Sequence, residues 1–389
     1  MRASTHRPLR SRGLACLLAG CLVAIVACGD DDDDGGAADT SGSAAATEPA
    51  PTGSSAPTGS SAPTGSSAPS GSSAPSGGEP LEIAQFVAIQ ANPVEEVIIK
   101  TAADVAAADG NVNITVFDAN NDPQAQIAQC QDALAQNKFD AFILKAVAGP
   151  TMMDCAEQAI AQDIEVVAMG NALGPDSASV ELQVEGLSAS VIHSATTNGE
   201  GLYELVDLAC AENDEPECEV IYLFGPLAFD YSSISRDVLY SRLDERDDIE
   251  VVAEQTQNFN PDEAINATRQ LLPANPGTDV LAMDCSFCAV PVADVLAELD
   301  LADEVLLVAS AADAASIEQV KNGQQFGEVL LLPATESRLA TEFAIKAARG
   351  EDLGDDVTVD VAKDYSPTGS IIITQENAGD FTAEWPLGS

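Results

Sequence analysis

The sequence predicts an α/β protein with two lobes, each built on a parallel sheet covered by helices. The chain has 389 residues, which is more than one hydrophobic core usually supports. From residue 81 onward, short apolar and β-branched runs alternate with helical patterns. This order is typical of parallel sheets, because the connection between two parallel strands is usually a helix. The alternation stops in a polar stretch, 170–187, and then starts again, which indicates a second lobe.

Strand and helix patterns predict the first lobe. Buried strands are near-continuous apolar runs, whereas an apolar stripe at every third or fourth residue indicates a helix. Asp122 and Pro123 together are typical of a helix start, with the acid as cap and the proline in the first turn. The strands are predicted at 83–89, 112–117, 141–144, 164–169 and 189–193, and the helices near 94–105, 124–137 and 150–162.

The same alternation starts again after residue 194 and runs to the end of the chain, which indicates a second lobe. Ligands of parallel sheets bind beyond the carboxyl ends of the strands, so two lobes predict a cleft where those ends face each other. The strands are predicted at 220–224, 250–253, 279–283, 305–308, 326–332, 357–361 and 370–374, and the helices near 198–210, 233–246, 262–272, 290–299, 313–322 and 335–349.

Residues 1–28 are predicted to be a lipoprotein signal peptide. Four arginines precede residues 13–28, which carry no charge and are short for a spanning helix. The segment Ile-Val-Ala-Cys at 25–28 resembles a bacterial lipobox, and so does Leu-Ala-Gly-Cys at 18–21. We favour lipidation of Cys28 over Cys21 because Gly29 and a run of aspartates follow it at once. An uncleaved N-terminal anchor is the alternative.

Residues 29–80 are predicted to be a disordered linker rich in Pro, Gly, Ser and Thr. The hexapeptide Ala-Pro-Thr-Gly-Ser-Ser at 50–55 recurs and then varies to Ala-Pro-Ser-Gly-Ser-Ser at 68–73. Such sequence cannot bury enough apolar surface to offset the entropy of the chain. We therefore expect a tether that holds the lobes near a membrane.

Composition excludes several classes of function. Lys and Arg number 16 against 63 Asp and Glu, for a net charge of −47, and a polyanion repels nucleic acid. The 2 His residues leave little room for imidazole metal sites or His-based catalysis. The sequence shows no P-loop, catalytic triad or dinucleotide fingerprint. We therefore expect no enzyme activity, no cofactor and no metal site. The polar residues that alternate from Asp118 to Gln126 resemble a calcium-binding loop, but we interpret them as a strand-to-helix turn because Pro123 starts a helix there. The spread of acidic residues predicts a hydrated surface suited to salty surroundings.

Six cysteines follow the predicted signal, and an even number in an exported chain suggests disulfides. Many pairings are possible. The local ones are Cys210 with Cys218 across an acidic loop, and Cys130 with Cys155 on successive helices. Cys285 and Cys288 remain, in a C-x-x-C next to Asp284. We favour a structural disulfide there, with redox or metal chemistry as the alternative.

Several segments, in this order and spacing, resemble the class I periplasmic binding proteins of the ribose-binding type. They are Asn-Pro at 92–93, Phe-Asp-Ala-Asn-Asn-Asp-Pro at 117–123, 139–144 and 161–167, then Arg236 with Tyr240, Leu-Ala-Met-Asp at 281–284 and Lys-Asn-Gly at 321–323. The resemblance implies two Rossmann-like lobes with parallel sheets, 81–194 plus 333–367 and 195–332 plus 368–389. It also implies a hinge of three crossovers, near 194, 333 and 367, and a cleft that closes on a small ligand.

The ligand-binding pattern of that family is present only in part. Val94 and Glu95 stand where family members often stack aromatic side chains on a sugar, and Gly170 and Asn171 replace a sugar-gripping Asp-Arg pair. The expected ligand contacts are Asn92, Glu95, Asn171, Arg236, Phe259 and Asp284, with Phe229, Tyr231 and Phe287 in loops that should also face the cleft.

Each charged candidate has an expected chemistry and an alternative. Arg236 is suited to a carboxylate or a ring oxygen, and Asp284 to an amine or a hydroxyl. Arg236 in a salt bridge capping its own helix, and Glu95 in a solvated first helical turn, are the alternatives. His193 is interpreted as a hinge or surface residue.

The predicted function is a monomeric solute-binding lipoprotein that captures a small molecule, a sugar or sugar-like, by lobe closure. A lipidated cysteine would anchor it to the outer face of the bacterial cell membrane, where it delivers the solute to an ABC transporter permease. The alternative is a receptor module that signals to a membrane sensor, and an enzyme is a distant third.

Overall fold

The computed structural model describes residues 79–212 and 216–385. The predicted signal peptide, both lipobox cysteines and the linker up to residue 78 lie outside these residues. No helix within the described ranges combines the length and the apolar character that crossing a membrane requires.

A six-stranded parallel sheet forms the first lobe. Its strand order is β11-β5-β4-β3-β1-β2, and every pair of neighbours is parallel. The strands are β1 (Leu81–Val87), β2 (Val112–Asp118), β3 (Ala141–Leu144), β4 (Glu165–Gly170), β5 (Ala189–Ile192) and β11 (Thr358–Asp360).

A second six-stranded sheet, in the order β12-β10-β9-β8-β6-β7, forms the second lobe. Its strands are β6 (Cys218–Phe224), β7 (Ile249–Thr256), β8 (Thr278–Met283), β9 (Leu306–Ser310), β10 (Gly327–Val329) and β12 (Ile372–Thr374). The edge strand β12 is antiparallel to β10, so this sheet is mostly and not uniformly parallel. The predicted fold class of two parallel α/β lobes is confirmed in this form.

Helices cover both faces of each sheet, so the core of each lobe has two layers. In the first lobe, α1 and α9 pack on one face of the sheet and α2 and α3 on the other. In the second lobe, α4 and α5 pack on one face of the sheet and α6 and α7 on the other. The helices are α1 (Pro93–Asp109), α2 (Pro123–Gln136), α3 (Met153–Ile160), α4 (Ala195–Ala211), α5 (Asp230–Leu243), α6 (Pro261–Ala274), α7 (Ser286–Glu298), α8 (Ala314–Asn322), α9 (Pro333–Ala348) and α10 (Val361–Asp364).

Local sequence signals fix where several helices begin. Asn92 caps α1 by accepting a hydrogen bond from the backbone N–H of Val94, and Pro93 occupies the first helical turn. Asp122 caps α2 in the same way. These caps place the N-termini of both helices beside the carboxyl ends of β1 and β2.

The chain passes between the two sheets three times. Helix α4 follows β5 but packs against the second sheet, and α9 follows β10 but packs against the first. The last two strands also divide, with β11 in the first sheet and β12 in the second. The strand predicted at 326–332 is shorter because the chain leaves the sheet after Val329 to reach α9.

Three disulfides lie in the described residues, and they join the same cysteines that local pairing favoured. Cys130 on α2 is bonded to Cys155 on α3, and Cys210 on α4 is bonded to Cys218 on β6. Cys285 and Cys288 are bonded to each other at the start of α7.

Candidate ligand-binding site

A cavity lies where the carboxyl ends of the two sheets face each other. It encloses about 720 Å³, part of which is open to solvent. The first lobe contributes Ala88, Ile89, Asn92, Val94, Glu95, Asn121, Lys145, Gly170 and Asn171, the second contributes Phe229, Tyr231, Phe259, Asp284, Cys285, Phe287 and Ala311, and His193, Leu331 and Glu336 lie where the chain crosses.

A buried ion pair dominates the wall from the first lobe. Lys145 follows β3 and its Nζ lies 2.5 Å from Oε1 of Glu95 in the first turn of α1. The exposed fractions are 7% for Lys145 and 4% for Glu95, so the alternative of a solvated Glu95 is wrong. Burial lowers the pKa of Lys145, but the negative charges of Glu95 and Glu336 outweigh it and raise the pKa above its usual value.

Gly170 makes room for this lysine. Its φ of +74° is left-handed, and a Cβ at this position would lie 2.7–2.9 Å from the side-chain carbons of Lys145. The next residue, Asn171, donates a hydrogen bond of 2.7 Å from Nδ2 to the backbone oxygen of Ala146. The two positions that replace the family's Asp-Arg pair therefore hold the lysine and its loop.

Two further titratable groups lie where the chain crosses between the lobes. Glu336, in the first turn of α9, is 2% exposed, and burial raises its pKa to about 7, against the lowering effect of the Lys145 charge. His193 is buried rather than on the surface, and burial together with the Lys145 charge lowers its pKa to about 3. His193 is therefore a neutral imidazole at physiological pH.

Asp284, at the end of β8, is the carboxyl group of the wall from the second lobe. Its Oδ2 accepts a hydrogen bond of 2.9 Å from the N–H of Gly225, and its Oδ1 accepts one of 2.7 Å from Nε2 of Gln257. Burial raises its pKa to about 7 although these hydrogen bonds favour the ionised form. Asp284 is thus poised between a carboxylic acid and a carboxylate near neutral pH.

Aromatic side chains line the same wall as Asp284. The ring centroid of Phe229 lies 6.2 Å from that of Tyr231 and 6.3 Å from that of Phe259. Phe287 also lines the cavity, and its ring centroid lies 6.1 Å from that of Trp385 in an edge-to-face arrangement. These rings offer apolar faces to a ligand beside one acidic group.

Phe229 and Asp230 of the second lobe contact the first lobe across the cleft. Phe229 packs against Ala88, Ala119 and Val147 of the first lobe. The adjacent Asp230 accepts hydrogen bonds from the N–H of Gly149, at 2.9 Å, and from the hydroxyl of Ser177, at 2.6 Å. We call Phe229 and Asp230 together the interlobe clasp.

The structure places Arg236, unlike the other expected contacts, outside the residues that line the cavity. Its guanidinium donates hydrogen bonds of 2.7–3.2 Å to Glu254 on β7 and lies 4.4 Å from the ring centroid of Tyr240. The salt bridge joins its helix to a neighbouring strand instead of capping the helix. Arg236 is therefore committed to Glu254 and Tyr240 on the outer side of its helix and is absent from the cavity lining.

The cavity brings together the other expected contacts, Asn92, Glu95, Asn171, Phe259 and Asp284. Phe229, Tyr231 and Phe287 line it as well. Sequence reasoning missed Lys145 and Glu336, and left His193 between a hinge and the surface. Lys145 directly follows the strand predicted at 141–144. Its position at the carboxyl end of β3 is the sequence signal that could have identified it as a site residue. Within the described ranges, no group of three or more His, Cys, Asp or Glu side chains is arranged to hold a metal ion.

Comparison with known families identifies the architecture. Residues 83–352 match the family model described as periplasmic binding protein domain. The chain belongs to the periplasmic binding protein family. The class I resemblance is therefore confirmed, and the family implies a location outside the cytoplasm.

Solved structures share the fold of this periplasmic binding protein at low sequence identity. An ABC transporter solute-binding protein from Bacillus halodurans with bound myo-inositol has a TM-score of 0.66 and 19% identity, covering 79% of this chain and 99% of its own. A protein of the same class from Actinobacillus succinogenes with bound D-allose has a TM-score of 0.63 and 20% identity, covering 77% and 100%. Another, from Mycobacterium smegmatis with bound glycerol, has a TM-score of 0.62 and 21% identity, covering 79% and 100%.

These structures, like the family, are described as binding proteins and not as enzymes. No curated protein matches the chain.

Proposed function

We propose that this protein is an extracytoplasmic lipoprotein that captures a small sugar-like solute and delivers it to an ABC importer. The observation that carries the proposal is a cavity at the carboxyl ends of two facing sheets, lined by both lobes. Such a cavity is complete only when the lobes are together. A ligand that touches both walls therefore stabilises the closed state over an open one.

The solute class follows from the walls of the cavity and from the related structures. Aromatic faces suit the apolar side of a sugar or cyclic polyol, and the carboxyl groups suit its hydroxyls. The related solute-binding proteins hold myo-inositol, D-allose and glycerol. Only part of the family's sugar pattern is present, so the solute is sugar-like and differs from ribose.

The hinge of this movement is proposed at the three crossings, near 194, 333 and 367. The crossings join lobe 81–194 plus 333–367 to lobe 195–332 plus 368–389. The interlobe clasp would open with the cleft, because its contacts with Ala88, Gly149 and Ser177 join it to the opposite lobe.

Native mass spectrometry of the exported protein, purified under mild oxidising conditions, tests capture. A co-purifying mass equal to a sugar or polyol supports the proposal, and transfer of that solute into cells that carry the importer tests delivery. A solute that binds without changing uptake would contradict delivery and favour the receptor alternative.

Lipidation is proposed at Cys28, after cleavage of a signal that ends at residue 27. The Cys28→Ala variant is expected to be released from the membrane fraction, whereas Cys21→Ala is expected to remain there. Release of the Cys21→Ala variant alone would move the modification to Cys21.

A further inference from the structure

The charges that line the cavity do not balance. Its acidic side chains are Glu95, Glu336 and Asp284, and Lys145 is the cationic side chain among the described lining residues. Lys145 is already paired with Glu95 at 2.5 Å. Buried carboxylates are normally paired with a cation or protonated. The cavity therefore carries a surplus of acid that its own side chains do not neutralise.

Asp284 carries the clearest part of that surplus. It is 1% exposed, it lines the cavity, and its hydrogen-bond donors are the neutral amides of Gly225 and Gln257. Within 79–212 and 216–385, no Lys or Arg side chain pairs with it. Each carboxylate oxygen has a second lone pair, so a ligand can still donate to either one.

Buried polar atoms around the cavity also lack partners. They are Oε2 of Glu95 and Oε1 of Glu336. An ionised Glu95 can only accept hydrogen bonds, and leaving such a group unpaired is costly. The ligand that completes this site must bring hydrogen-bond donors.

The rings beside Asp284 suit a positive charge. Phe229, Tyr231 and Phe259 lie on the same wall as this carboxyl group, with Phe287 next to it. Aromatic faces attract cations, and the attraction is larger when water is excluded. A carboxyl group with aromatic neighbours and no cationic partner is the arrangement that receives an ammonium group.

We infer that the captured solute carries a protonated amine, which Asp284 receives, on a small hydroxylated body that lies against the aromatic rings. This inference rests on the proposed function, because it names the class of solute that the same cavity takes. A carboxylate solute would add a further negative charge, and a neutral polyol would leave Asp284 without a counter-charge.

The ionisation of the cavity supports the same class. The pKa of Asp284 is raised to about 7 by burial, so a cation that needs the ionised form binds more tightly as pH rises. If the ionisation of Asp284 alone sets the pH dependence of binding, the apparent affinity for a permanently charged amine increases about tenfold from about pH 6 to pH 8. The charge of Asp284 acts on Tyr222 and Tyr231, and the charges of Lys145, Glu95 and Glu384 act on Glu336. These other titratable groups affect the binding of an amine and of a neutral solute alike, so the pH dependence of neutral-solute binding is the control.

Matched solutes separate the classes. Glucamine, sorbitol and gluconate share one carbon frame and end in an ammonium, a hydroxyl or a carboxylate, and glucosamine, glucose and glucuronate form a cyclic set. Glucamine stays charged over the pH range because aliphatic amines titrate near the value of lysine. Thermal shift and titration calorimetry of the full exported protein are expected to rank the amine first in each set that binds. Calorimetry in two buffers of different ionisation enthalpy is expected to show proton release only with the amine.

Variants test the role of Asp284. Asp284→Asn keeps the shape of the side chain and is expected to weaken amine binding by about 30-fold or more, since it removes one partner of a buried charge pair. The variant keeps one acceptor oxygen for the two donors Gly225 and Gln257, so binding of the neutral member should fall, but by less than that of the amine. Glu254→Gln removes one carboxylate of the same lobe outside the cavity, and we expect unchanged binding.

The outcomes distinguish this inference from the proposed function. Tighter binding of sorbitol or glucose than of the amines would overturn the amine and keep the sugar-like solute. Equal loss of amine and neutral binding in Asp284→Asn would also overturn it. Binding of none of the six compounds would contradict both proposals.

Discussion

Glu328 is a fully buried carboxylic acid in the centre of β10. Burial raises its pKa well above the usual value, the charge of Asp313 raises it further, and the hydroxyl of Ser316 opposes this with a smaller lowering effect. The folded protein therefore keeps this proton over a range of pH in which the unfolded chain has lost it. Folding binds a proton there, which costs stability as pH rises.

Replacing Glu328 with Gln is expected to stabilise the protein at neutral pH. Wild type should lose up to about 1.4 kcal/mol per pH unit relative to the variant, between the unfolded pKa and the raised folded value. Below the unfolded pKa the difference should vanish. Denaturant unfolding at a series of pH values measures it, with the surface change Glu204→Gln as control. A constant difference across pH would contradict the assignment.

Some residues of the candidate site could be predicted from the sequence, and others could not. Asp284 and Asn171 were recognisable because each follows a clear buried strand. Glu336 resembles any acid in a first helical turn, and only the packing of α9 over the first sheet buries it beside Lys145. Arg236 and Glu254 lie on different elements, and the sequence does not show that they pair.

Glycine 170 links the conformation of a strand end to the buried ion pair. Gly170→Ala is expected to destabilise the protein and to displace Lys145, because it combines a left-handed φ with a close approach to that side chain. Gly110→Ala is a matched control, since Gly110 has a similar φ of +81° but nothing within 4 Å of an added Cβ. The control should lose about 1 kcal/mol from backbone strain alone.

Thermal unfolding and titration with the bound solute check this comparison. Gly170→Ala should be less stable than Gly110→Ala and should also lose affinity. Equal stability losses with intact binding would show that contact with Lys145 does not matter.

Elements were predictable where local signals and burial agree. The strands β3 and β8 are short apolar runs that can be buried on both faces, and α1, α2 and α6 begin at Asn-Pro or Asp-Pro pairs. The segment 150–162 was predicted as one helix but starts as a 3₁₀ turn, Gly149–Met152. That turn presents the N–H of Gly149 to the interlobe clasp, a long-range contact that local sequence does not show.

At the scale of the whole molecule, the interlobe clasp is expected to set the balance between open and closed lobes. Asp230→Ala removes two hydrogen bonds that cross the cleft. At about 1 kcal/mol for each bond, ligand affinity should fall roughly 10- to 30-fold. Small-angle scattering of the ligand-free protein should show a larger radius of gyration.

Asp237→Ala is the control for this change, because Asp237 lies on the same helix with its side chain 81% exposed. It should leave both the radius and the affinity unchanged. An unchanged radius in Asp230→Ala would assign no role to the clasp.

Salt is expected to stabilise the whole protein. The net charge of −47 makes the folded surface repel itself, and ions screen that repulsion. The midpoint of thermal unfolding should be higher in about 0.5 M salt than in dilute buffer, where the Debye length is several times longer. Sodium chloride and potassium chloride should act alike if screening is the cause, and a midpoint that does not rise would contradict it.

The three crossings between the sheets have a consequence for the order in which the chain folds. Ser337 on α9 donates a hydrogen bond to the backbone oxygen of Ile98 on α1, across a separation of 239 residues. Until α9 and β11 are available, a growing chain that already contains β1 to β5 has one sheet face covered only by α1, and β5 lacks its partner strand. Contacts of such long range form slowly. The first lobe is the first to be synthesised, yet it cannot be completed before nearly all of the second lobe has been made.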